Sequence, residues 1–114
     1  MKKIILLVTL FGLSAALSAK AADAKDNWDN LCAKCHGATG AGDTKMGQKL
    51  GAKDFTDAKV QSDMKDEAAT KAIKEGVKDD DGKTKMKAFV AGADTPLSDD
   101  EVKALVAYVH GLKK

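Results

Sequence analysis

Arginine is absent from this chain: all 19 basic side chains are lysine. Without a guanidinium there is no planar fork to grip a phosphate or a guanine edge at two points, so a main tool of nucleic-acid readout is missing. Cysteine and histidine are scarce, at two residues each, and a structural zinc site with four protein ligands would consume the whole supply. Proline occurs once, and aromatic residues make up only 4%. Charge is plentiful but balanced, with 19 basic against 17 acidic side chains in 114 residues. That balance argues against a strongly basic nucleic-acid binder.

Long uncharged runs are limited to one. Ile4–Ala19 carries no charge over 16 residues, short of the ~20 that a membrane-spanning helix needs. Lys2 and Lys3 precede it and Ala19-Lys20-Ala21 follows it, which together have the form of a secretory signal with an A-x-A cleavage site. The expected organisation is a signal peptide over 1–21 and one domain over 22–114, delivered to the periplasm. Cleavage removes three lysines and no acid, leaving 93 residues with a net charge of −1.

Those 93 residues include 36 of the hydrophobic class, of which 15 are alanine. A domain of this size buries only about two thirds of its unfolded surface and often depends on a disulfide, a metal or a cofactor. Something other than side chains is therefore expected in this core.

Both cysteines stand in Cys32-Ala33-Lys34-Cys35-His36. A disulfide here would close a very small loop and constrain the unfolded chain little. A thiol redox pair wants its motif to open a helix after a strand, yet Asp23–Leu31 upstream reads as helix. Zinc finds no second ligand pair, and His36 is directly adjacent to Cys35. The fourth chemistry is covalent c-type haem attachment at C-x-x-C-H. There the two thiols add to the vinyl groups on one side of the porphyrin, and the next residue turns an imidazole toward the iron. A covalent cofactor is not lost in the periplasm, and its apolar disc supplies the missing core. With a signal peptide and a short alanine-rich chain, this reading leads the other three.

The remaining pattern is mostly helical. Residues 63–75 bring Met64, Ala68, Ala72 and Ile73 near one face, with Gly76 as a stop. The last helix has an S-x-x-E capping box in Ser98 and Glu101, a staple from Leu97 to Val102, and an apolar stripe of Val102, Leu105, Val106 and Val109. Gly37, Gly40, Gly42, Gly47 and Gly51 mark a long loop able to approach a flat cofactor. Residues 78–97 form a second loop holding Met86 and Pro96. Asp79-Asp80-Asp81-Gly82 fails as a calcium loop, because Val77 and Ala88 fall on ligand positions, and reads as a turn with solvated carboxylates.

Over nearly all of Ala22–Lys114 the sequence resembles the class I c-type cytochromes, specifically small soluble bacterial ones. Cys32–His36 with Gly37 is similar to that family's CxxCHG, and Trp28 matches the aromatic of its first helix. Leu105 and Tyr108 match the positions of the last helix that pack against it. Met86 in Lys85-Met86-Lys87-Ala88-Phe89 resembles the M-P-A-F box that carries the second axial ligand. Three departures are visible: Lys87 for a frequent proline, Lys53 before Asp54 where a proline is common, and Ala24 for a glycine at the helix crossing. They predict a less rigid methionine loop and a looser crossing.

The resemblance implies an all-α cytochrome c fold of three to four helices wrapped around one covalently attached haem c. Cys32 and Cys35 would hold the haem, with His36 and Met86 on its iron. Met86, on a loop well past His36, suits the second axial position better than its competitors. Met46 follows His36 too closely, Met64 reads as core filler, and His110 lies at a chain end directed away. The Nδ1–H of His36 is expected to meet a backbone carbonyl from the loop between Ala38 and Thr56. The implied function is that of a non-enzymatic, monomeric periplasmic carrier of single electrons between respiratory or photosynthetic redox complexes, peripheral to membranes at most. Lys34, Lys83, Lys85 and Lys87 would rim the haem edge and steer an acidic redox partner. The alternative is a ligand-binding haem protein, a gas sensor or weak peroxidase, with a displaceable sixth ligand.

Overall fold

The computed structural model describes residues 23–114; the expected signal peptide lies outside the described residues. Helix α1 occupies residues 23–36, α-helical at first, π-helical over Trp28–Cys32, and α-helical again over Ala33–His36. The π segment is closed by Ala33 N–H donating to Trp28 O. Ala24, Trp28 and Cys32, spaced by four, are all buried, so the apolar face of α1 is continuous up to the first cysteine. The alanine at the crossing is 2% exposed: its methyl is accommodated inside.

Two short helices follow, α2 at Lys45–Leu50 inside the glycine-marked region expected to be a loop, and α3 at Ala58–Asp63 just after it. Each begins at a side-chain cap. Thr44 accepts from Gly47 N–H, and Asp57 accepts from Lys59 N–H, satisfying donors that a helix start leaves free. Helix α4 runs over Asp66–Glu75, three residues later than the periodicity suggested. Met64, with ψ 122°, is extended and breaks the phase. The inward residues are consequently Ala69, Ala72 and buried Ile73, while Ala68 is exposed.

A two-stranded antiparallel hairpin, β1 at Val77–Lys78 and β2 at Thr84–Met86, replaces the first part of the expected second loop. Asp79 makes its turn. One carboxylate oxygen accepts from Asp81 N–H at 3.0 Å and from Lys83 N–H at 2.8 Å. The triple aspartate is therefore a turn as expected, with Asp80 and Asp81 exposed but the Asp79 carboxylate taken up by backbone N–H groups.

Helix α5, Asp99–His110, has the expected capping box, Ser98 Oγ accepting from Glu101 N–H and Ser98 N–H donating to Glu101, both at 3.1 Å. Val102, Leu105, Val106 and Val109 are all buried. Against α1, the rings of Trp28 and Tyr108 lie 5.5 Å apart, and Asn27 donates to Glu101 at 3.1 Å. The core joins this crossing to Cys32, Ile73 and Phe89, with Met64, Met86 and Leu97 packed at its margin. Among the described residues the regular structure is thus helical apart from one small hairpin, in keeping with the expected all-α fold, with five helices where three to four were expected.

Candidate functional site

Cys32, Cys35 and His36 come together at the C-terminal end of α1. Cys32 is buried, Cys35 is half-buried, and both carry free thiols. Burial, with Cys35 nearby, pushes the Cys32 thiol up to about 11. A catalytic redox cysteine works as a thiolate and needs the opposite shift, so the thiol-redox reading loses ground. Among the described residues no three His, Cys, Asp or Glu side chains converge as a metal-binding group, and the zinc reading lacks its donors.

His36 is wedged between two aromatic rings, Trp28 at 5.7 Å and Phe55 at 5.3 Å between centroids. Burial holds the imidazole below its ordinary value, which favours the neutral form that ligates metals. Its Nδ1 is buried and has no hydrogen-bond partner. The carbonyl expected from the loop between Ala38 and Thr56 is therefore not in place. Neighbouring loop and helix-end carbonyls already have donors: Cys35 O from the Thr44 hydroxyl, His36 O from Gly42 N–H, Gly37 O from the Trp28 indole, and Gly40 O from Phe55 N–H.

Met86 sits at the end of β2, half-buried against the core. It lines a cleft of about 610 Å³ together with Leu31 of α1, Val77 and Phe89, within the size range of cofactor sites. Cys32, Cys35 and His36 are not among the lining residues. The sequence predicted a loose methionine segment for want of a proline at Lys87, and the structure corrects this. Phe89 N–H donates to Ile73 O at 2.8 Å, Ala91 N–H donates to Lys74 O at 2.9 Å, and Leu97 N–H donates to Phe89 O at 3.0 Å. The free carbonyls at the end of α4 thus clip the methionine segment down. Gly76 completes the clip. Its φ is +78°, and a Cβ there would lie 2.5 Å from Met86 O and 2.8 Å from Ala88 N. The Lys87 ammonium lies 5.2 Å from the Phe89 ring centroid.

The competing residues have other roles. Met46 is 40% exposed on α2, and Met64 packs at the core margin as expected. His110 faces Gln61 at 3.1 Å and Asp66 at 2.5 Å. Lys34, Lys83, Lys85 and Lys87 are all exposed. Sequence reading missed Thr44, and it placed Gly47 and Gly76 in a loop and at a helix stop without their close contacts to Cys35 O and Met86 O. A threonine three residues before a glycine was the one local signal for the first two.

The residues present fit a covalently bound haem: two unpaired thiols one helical turn apart on a helix end, and directly after them an imidazole whose neutral form is favoured by burial. The comparisons agree. The family model for cytochrome c matches residues 21–113. Among solved structures, the KustC0563 c-type cytochrome is 36% identical, with a TM-score of 0.66 over 81% of this chain and 99% of that one. A tyrosine-to-phenylalanine variant of Kustc0563 is 35% identical, with a TM-score of 0.64 over 80% and 99%. No curated protein matches the chain. On a match spanning almost the whole described domain, the chain belongs to the cytochrome c family, haem-based electron carriers with covalently bound haem c and its iron.

Proposed function

We propose that this protein is a periplasmic single-electron carrier in which Cys32 and Cys35 hold the haem and His36 and Met86 take the two axial positions of its iron. Haem c supplies a one-electron couple between ferric and ferrous iron. The observation that supports the methionine assignment is the clip on its segment: Met86 ends a hairpin and borders a cleft, the Phe89 and Ala91 N–H groups that follow it bond to α4 carbonyls, and Gly76 approaches its backbone closely.

Each residue has a defined task. Cys32 and Cys35, on a helix end, would hold the cofactor covalently. His36, whose neutral form is favoured by burial, would offer a nitrogen lone pair, with the Trp28 and Phe55 rings packed beside it. Met86 offers an uncharged thioether, which raises the potential relative to a more basic ligand. A segment clipped in place changes little between oxidation states, which suits electron transfer. Exposed Lys83, Lys85 and Lys87 beside Met86 would steer an acidic redox partner into a small, transient interface. The periplasmic location rests on the signal-like segment Met1–Ala21.

Carbon monoxide tests the sixth position. The reduced protein is expected to bind it slowly or incompletely at neutral pH, and Met86→Ala to bind it rapidly with a lower potential. Rapid stoichiometric binding by the unaltered protein would favour a gas-binding haem protein instead. Electron-transfer rates to an acidic partner should fall as salt is added; a flat response removes the steering role of the lysines.

A further inference from the structure

Three successive carbonyls at the end of α1 each receive a donor, two from the loop that follows and one from a ring of α1 itself. The Thr44 hydroxyl donates to Cys35 O at 2.7 Å, Gly42 N–H to His36 O at 2.8 Å, and the Trp28 indole to Gly37 O at 3.1 Å. Thr44 differs from the other two because its donor is adjustable and has been oriented. Its oxygen accepts from Gly47 N–H at 2.9 Å, and its single proton is directed to Cys35 O. Gly47 is buried, and a Cβ there would collide with Cys35 O. The first turn of α2 therefore rests directly on the peptide that joins the second cysteine to His36.

We infer that Thr44 is a positioning residue for the axial histidine: through its oriented hydroxyl it fixes the Cys35–His36 peptide, and so sets both the presentation of the His36 imidazole and the reduction potential. The inference rests on the reading of His36 as an iron ligand. Its sign follows from charge. The C-terminal end of a helix is its negative end, concentrated on carbonyls without donors. Removing the Thr44 proton leaves the Cys35 oxygen unpaired beside the ligand, which favours ferric iron and lowers the potential. The same loss releases the peptide and lets the imidazole turn.

The test compares the haem-loaded protein with Thr44→Val, which keeps the shape without the hydroxyl, and Thr44→Ser, which keeps the hydroxyl. Midpoint potentials, the g-values of the ferric electron paramagnetic resonance spectrum, and amide exchange at Gly47 in the reduced protein are measured. The valine variant is expected to show a lower potential, shifted g-values and Gly47 exchange roughly tenfold faster, in line with one lost hydrogen bond. The serine variant should match the parent. A valine variant that loses haem while the serine variant loads normally supports the role of the hydroxyl equally well. Equal potentials and g-values in parent and valine variant overturn the inference, as does an equal shift or equal haem loss in valine and serine. If the parent spectrum lacks a histidine ligand, the functional reading above fails and this inference fails with it. A histidine-ligated parent with an unshifted valine variant sinks the inference alone.

Discussion

Gly76→Ala puts the clip on the methionine segment to a direct test. Gly76 has φ +78° and ψ −178°, a region that is essentially glycine-only and costs a side-chain residue about 1–3 kcal/mol. The new methyl would also stand 2.5 Å from Met86 O and 2.8 Å from Ala88 N. Both are backbone atoms, so they are relieved only by moving the Met86–Ala88 chain. For a domain of this size each kcal/mol shifts the thermal midpoint by about 4–8 °C, so a loss of about 10 °C is expected. The more specific outcome is chemical: displaced Met86 leaves the sixth position open, and reduced Gly76→Ala binds carbon monoxide faster than the parent. Gly51→Ala separates backbone cost from contact. Gly51 also has positive φ, +74°, but nothing lies within 4 Å of its would-be Cβ, and it is outside the Met86 cleft. It should lose stability without gaining carbon monoxide affinity. Equal binding by Gly76→Ala and the parent, or equal gains in both variants, refutes the reasoning.

Leu105→Ala removes a side chain only 1% exposed at the α1–α5 crossing and should cost about 2–5 kcal/mol in denaturant unfolding. Ser98→Ala deletes the α5 cap and is expected to cost about 1 kcal/mol, with haem spectra unchanged. Glu101 is held below the ordinary carboxylate range by the Ser98 backbone N–H and the Asn27 side chain, and Asp99 by Lys74. Depressed carboxyls stabilise the fold above their unfolded values, and that contribution fades as pH falls through the folded ones. The thermal midpoint should therefore drop on acidification below about pH 4.5, less steeply in Glu101→Gln; an identical pH profile in that variant argues against the assignment.

The parts of the fold readable from sequence were those whose signal is local. The capping box and apolar stripe of α5 are written in consecutive residues, and the attachment motif in five. Helices α2 and α3 were not readable, because six residues carry no periodicity and α2 even contains Gly47. That glycine makes sense only when Cys35 O is seen against it. The start of α4 was misplaced because Met64 fits the stripe on a helical wheel but adopts an extended backbone. The hairpin depends on pairing across a five-residue turn, and the strength of the methionine clip comes from α4 carbonyls distant in sequence. The expected carbonyl partner of His36 Nδ1 was not found, because which loop carbonyl comes near a ring is set by the folded path of the loop and not by its residue types.

Gln61 gives the molecule a seam. Its buried amide donates to Phe55 O at 2.6 Å and to Val109 O at 2.7 Å, and Lys114 N–H reaches Thr56 O at 3.1 Å. Phe55 is also the ring against His36, so the wall beside the attachment motif is tied through Gln61 to the end of α5. Fraying of α5 would therefore loosen the same ring that packs on the imidazole.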